Sequence, residues 1–156
     1  MTERGEEGVE TMYISTKGRY ALRVMVDLAE QPEGAYVPLK EIADREEISK
    51  EYLNTILKVL VENGLLLSLR GKGGGYKLTH APEQYTVGNI LRLTEGSLAP
   101  VPCVSGGACP NAGHCPSLTM WKKLDDMINS FFDNITLVDL MEDKEDRVKN
   151  CLGKKP

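Results

Sequence analysis

A mainly α-helical chain, in which a winged helix-turn-helix DNA-binding domain is followed by a long dimerisation helix, is the fold class this sequence predicts. Three observations predict it. Apolar residues recur at spacings of three and four in three successive segments before Gly64, a glycine-rich hairpin follows at RGKGGGYKL (70–78), and a 3-4 apolar repeat occupies residues 121–135. The expected boundaries are an N-terminal extension at 1–11, the winged helix-turn-helix over 12–85 and the dimerisation helices over 86–150, the last interrupted by a cysteine loop at about 98–116.

Size and charge narrow the classes. A chain of 156 residues, 41% hydrophobic and 27% charged, has room for one domain or for two small ones sharing a core. The net charge of -4 argues against a nucleic-acid binder by its total, but the charge is unevenly spread. Residues 1–11 carry four Glu against one Arg, whereas residues 12–80 carry ten Lys/Arg against nine Asp/Glu. The acidic start lacks the basic-then-apolar order of a signal peptide and no apolar run reaches the length of a membrane span, so a cytoplasmic location is expected. No nucleophile and base, and no paired acids in a cleft motif, point to an enzyme.

From Ser15, residues Tyr20, Ala21, Leu22, Val24, Met25, Leu28 and Ala29 form one helical stripe that Pro32 and Gly34 end. LKEIADRE then supplies Leu39, Ile42 and Ala43 to a second helix, and Ser49 caps a third, KEYLNTILKVLVEN, which buries Leu53, Ile56, Leu57, Leu60 and Val61. Gly64 stops it, and LLLSLR with YKLT reads as a hairpin. In such a module the third helix enters the major groove and the wing reaches phosphates or the minor groove. Lys50, Glu51, Asn54, Thr55 and Lys58, with Tyr52 beside them, form the polar side of that helix. Asn54 is suited to adenine, its alternative being a merely solvated position. On the wing, Arg70 and Lys72 supply charge, and glycines including Gly73 let the backbone approach the duplex. An ordinary turn is the alternative; a nucleotide fingerprint is excluded because no helix follows the glycines.

QYTVGNILRLTEG gives a fourth helix, capped by Thr86 and bearing Val87, Ile90, Leu91 and Leu93. Beyond SLAPVP, CVSGGACPNAGHC places Cys103, Cys109 and Cys115 as C-x5-C-x5-C, while Cys151 stands apart as a bystander. Structural zinc favours two close ligand pairs, whereas iron-sulfur clusters accept varied spacing, so a cluster is the leading expectation, ahead of zinc and of unligated thiols. His114 is the nearby fourth donor, although adjacent side chains in an extended loop point apart, and a solvated histidine is the alternative. Trp121, Leu124, Ile128, Phe131 and Ile135 then repeat as a pairing seam, widened by Leu118, Met127 and Phe132. Its partner is either this chain's own DNA-binding module or a second copy. A homodimer would set two recognition helices on a palindromic operator. Thr136, with Asp139, caps a last helix.

MYISTKGRYALRVMVDLA, ISKEYLNTILKVLVENGL, LRGKGGGY, the three-cysteine loop and NITLVDL together resemble the IscR and NsrR family of bacterial transcription regulators. The resemblance covers Met12 to about Glu145. It implies a dimeric repressor or dual regulator of iron-sulfur biogenesis or sulfur metabolism genes, with Cys103, Cys109 and Cys115 holding a [2Fe-2S] cluster, or else a [4Fe-4S] cluster, whose state controls operator affinity or choice. Arg70 resembles the family residue that enters the minor groove. Three positions depart from the pattern. Leu118 replaces the histidine that completes the cluster in IscR-like members, and Arg19 replaces the aspartate that NsrR-like members draw from the partner's first helix. Asn54 stands where IscR-like members carry a glutamate on the recognition helix, so operator discrimination that does not depend on an acidic gate is expected. Rival readings are a CymR-like cysteine-metabolism repressor acting through a cysteine-biosynthesis enzyme without a cluster, an iron-sulfur electron-transfer protein, and a zinc-stapled adaptor.

Overall fold

The computed structural model describes residues 14–106 and 109–143. The extension expected at 1–11, the end of the second region at 144–150, and Cys151 lie outside the described residues. Helix α1 (Thr16–Ala29) begins at Ser15, whose hydroxyl accepts the Gly18 N–H. Helices α2 (Leu39–Glu46) and α3 (Lys50–Glu62) follow, and Ser49 caps α3 by accepting the Tyr52 N–H at 3.3 Å. The turn between α2 and α3 is made at Glu47, which takes left-handed angles (φ 54°, ψ 44°) that usually call for glycine.

Strands β1 (Leu66–Leu69) and β2 (Gly75–Leu78) pair antiparallel, Leu66 opposite Leu78 and Leu69 opposite Gly75. Val37 adds a single rung beside β2, donating to the Tyr76 carbonyl and accepting from its N–H, each at 2.9 Å. The strands are shorter than LLLSLR and set one residue earlier than YKLT. Leu66 enters the core, while Leu67 and Leu69 face outward, 44% and 49% exposed, because the hairpin projects beyond the helices.

Helix α4 (Val87–Glu95) is capped by Thr86, α5 (Leu118–Asp133) follows the cysteine loop, and α6 (Leu137–Glu142) starts in a reciprocal cap between Thr136 and Asp139. Two short 3-10 turns, Pro82–Gln84 and Pro102–Val104, had no periodic signal to announce them. The main core unites Ala21, Val24 and Met25 of α1 with Ile42, Leu53, Ile56, Leu57, Leu60 and Leu66, and draws in Ile90 of α4 and Leu137 of α6. Each large side chain so buried contributes roughly 1.5–3 kcal/mol. Asp27 is charged yet only 6% exposed; Arg45 forks onto it, Nε to Oδ1 at 2.7 Å and Nη2 to Oδ2 at 2.8 Å. The caps of α4 and α6 also face each other: the Val87 N–H reaches the Ile135 carbonyl at 2.8 Å and the Leu137 N–H reaches that of Tyr85 at 3.1 Å.

Candidate DNA interface and cysteine loop

Helix α3 buries Leu53, Ile56, Leu57 and Leu60 on one side, which turns Lys50, Glu51, Asn54, Thr55 and Lys58 to solvent on the other. The Asn54 side chain has no hydrogen-bond partner among the described residues, so its amide is free to donate and accept. The Thr55 hydroxyl is turned back onto the Glu51 carbonyl at 3.2 Å, and Lys58 lies 3.8 Å from Glu62. Tyr52 is set apart from this group, because it is half-buried and packs edge-on against Tyr20, ring centres 5.9 Å apart.

The wing tip carries Arg70, Gly71, Lys72 and Gly73, all exposed, with Gly71 and Gly73 at φ 96° and 76°. Neither Arg70 nor Lys72 makes an ion pair among the described residues, so both charges are available to a polyanion. The other glycines of the run serve the chain itself rather than an approach to DNA. A Cβ at Gly74 would strike the Leu69 carbonyl, and one at Gly75 would strike that of Val37, at the rung that holds the wing to the body. Lys77 lies over the Tyr36 ring, 4.6 Å from its centre.

The cysteine loop leaves α4 at Gly96 (φ 78°) and re-enters helix at Leu118. Cys103 sits exposed in the second 3-10 turn, Cys109 and Cys115 are half-buried, and His114 is exposed with its N–H on the Asn111 carbonyl. The structure does not bring these donors together: among the described residues no three Cys, His, Asp or Glu side chains are grouped as metal ligands. Cys115 Sγ is 3.3 Å from the Ser117 hydroxyl, and that hydroxyl, followed by the Ser117 backbone, holds the thiol below its ordinary pKa. Arg19 bonds Thr16 Oγ1 at 3.2 Å.

The five seam residues of α5 do not share one environment. Ile128 is buried, and Leu124 and Ile135 join it with Phe132 against Val87, Leu91 and Leu98 of the same chain. Trp121 is half-buried, while Phe131 is 63% exposed and is flanked by Met120 and Met127 at 53% and 68%. At about 100° per residue, the open stripe lies roughly 90° round the helix from the packed one. Both alternatives for the partner of this helix therefore have a face. Arg92 braces the arrangement, reaching Asp133 through two nitrogens at 2.8 and 2.9 Å and Asn129 at 2.8 Å. Neither this brace nor the Asp27–Arg45 fork had a local sequence signature.

The geometry of a helix-turn-helix with a basic-tipped wing coincides with what comparison finds. The Rrf2 family, described as an iron-dependent transcriptional regulator, matches residues 14–143. The chain is a member of the Rrf2 family. Proteins named HTH-type transcriptional regulator IscR from Cronobacter sakazakii and Escherichia coli O1:K1 are 37% and 36% identical over 134 residues, each match covering 86% of this chain and 83% of the relative. Among solved structures, CymR, the global cysteine regulator of B. subtilis, superposes with a TM-score of 0.70 at 35% identity, covering 83% of this chain and 96% of that one. T. potens IscR gives 0.69 at 35% identity, with 86% and 90% covered. This Rrf2 chain is a transcriptional regulator rather than an enzyme, and no helix among its described residues is long and apolar enough to cross a membrane.

Proposed function

We propose that this Rrf2 regulator acts in the cytoplasm as a homodimer that places two α3 helices in successive major grooves of a palindromic double-stranded operator, with its wings on the flanking phosphates or minor groove. The observation that carries the reading is the outward side of α3, where Lys50, Asn54 and Lys58 stand exposed in a module whose wing tip offers Arg70 and Lys72. Met120, Met127 and Phe131 on α5 support the dimer, because an apolar stripe of this kind is stabilised by a second helix.

Cys103, Cys109 and Cys115 would hold an iron-sulfur cluster, [2Fe-2S] or, in the alternative, [4Fe-4S]. The donor set fits such a group: all three are free thiols, soft ligands for iron, and Ser117 biases Cys115 toward the thiolate that binds it. Bound there, a cluster supplies sensitivity to iron, oxygen or nitric oxide, and the loop that carries it runs between α4 and α5. A second reading is favoured by Leu118 and Arg19, which cannot supply a fourth ligand, and by the likeness to CymR. In it the chain represses cysteine-metabolism genes through an enzyme partner, without a cluster.

Anaerobic purification with iron and sulfide analysis and a visible spectrum, repeated for each Cys→Ala variant alongside DNA titrations at several salt concentrations, separates these readings. Iron in the wild type, lost on replacing any of the three cysteines and accompanied by altered operator affinity, is the expected result. Iron-free protein after reconstitution, with variants that bind DNA as the wild type does, selects the second reading. Failure to bind any duplex in a sequence-selective, salt-dependent way overturns both.

A further inference from the structure

Two carboxylates lie on the outward stripe of α3 with Asn54 and Lys58: Glu62 at its end, which pairs with Lys58, and Glu51 in its first turn, which the ion pairs among the described residues do not include. We infer that Glu51 reads a base, accepting a hydrogen bond from a cytosine amino group in the major groove, and that with Asn54 it selects cytosine and adenine on neighbouring base pairs. The inference rests on the DNA-binding reading above and adds the chemistry of the site recognised.

A carboxylate entering a groove walled by phosphates is repelled unless it finds a hydrogen donor, since an ionised carboxylate only accepts. The floor of the major groove has few amino donors: N4 of cytosine and N6 of adenine. Adenine sets its N7 acceptor beside that donor, opposing the second carboxylate oxygen, whereas cytosine shows the amino group alone. Cytosine is therefore the base that offsets the cost of bringing Glu51 into the groove.

Asn54, one turn further along the same face, presents an unengaged donor and acceptor, the pair that fits adenine. Three residues of helix advance about 4.5 Å, close to the step of about 3.4 Å between base pairs, so the two side chains address adjacent pairs. The Thr55 hydroxyl gives its proton to the Glu51 carbonyl, which leaves it an acceptor only and unable to present the donor-acceptor pair that adenine needs.

The test is selection by the full-length protein from a duplex library with randomised half-sites. Wild type should enrich a C·G pair next to an A·T pair. Glu51→Ala should lose the cytosine preference by roughly tenfold, keep the adenine preference, and bind non-specific duplex as tightly as the wild type or more so. Glu51→Gln, whose amide both donates and accepts, should move the preference at that position toward adenine. Equal enrichment by the wild type and both variants overturns the inference and leaves the DNA-binding reading standing. Absence of sequence-selective binding by the wild type overturns both.

Discussion

Ser15 Oγ donates to Glu95 Oε1 at 2.6 Å while accepting the Gly18 N–H at 3.2 Å, so the cap of α1 is itself fastened by the last residue of α4. The Ser15 N–H adds a longer bond to Glu95 Oε2 at 3.3 Å. The residue that immediately precedes the cysteine loop thus grips the start of the DNA-binding module.

Replacing Glu95 by Ala removes a charge-assisted, half-buried anchor. Stability should fall by about 1–2 kcal/mol, seen as a lower urea midpoint at unchanged slope. Glu95→Gln, which keeps an acceptor for Ser15, should recover part of the loss.

Removing Arg45 leaves the Asp27 carboxylate buried without its cation. Breaking a fully buried pair costs 3–5 kcal/mol, and the partial exposure of Arg45, 37%, lowers the expected loss for Arg45→Ala to about 2 kcal/mol. A double variant with Asp27→Leu should be less destabilised than the sum of the two single changes, as a double-mutant cycle would measure.

At Glu47 the backbone is left-handed, where a side chain is a steric burden of about 1–2 kcal/mol that glycine avoids. Part of that gain is offset by the greater freedom of glycine in the unfolded chain. Glu47→Gly should therefore stabilise the protein by about 0.5–1 kcal/mol, and Glu47→Val should destabilise it; thermal unfolding of both variants checks the pair.

The Arg92 guanidinium holds the Asp133 carboxyl below the ordinary carboxylate range. With the folded pKa below the unfolded one, the stabilisation is present in full above the unfolded value and is lost as pH falls through the folded value. Because the two side chains are 33% and 45% exposed, solvent screening limits the pair to about 0.5 kcal/mol. Urea midpoints of wild type and Asp133→Asn should differ by that amount at neutral pH and converge in acid.

The elements legible in the sequence are those whose cause is local. Ser49, Thr86 and Thr136 each cap a helix through a bond to the third residue on, a relation contained in four letters. The core side of α3 follows likewise from the spacing of Leu53, Ile56, Leu57 and Leu60. The division of α5 was not legible, because 3-4 spacing reveals an apolar arc but not how much of it the chain's own α4 covers. Gly75 has its reason in Val37, 38 positions earlier, and the Ser15–Glu95 anchor spans 80. The cysteines announced a donor set by type and spacing, but spacing alone does not say where a pliable loop rests.

The ladder between the caps of α4 and α6 bears on how the protein can be dissected. A fragment ending near residue 85 would strip the partner from the Tyr85 carbonyl and delete Leu137, which is wholly enclosed in the main core. The DNA-reading part is thus not a detachable cassette; its interior is completed by residues from the far end of the polypeptide, and shortened versions inherit an open seam.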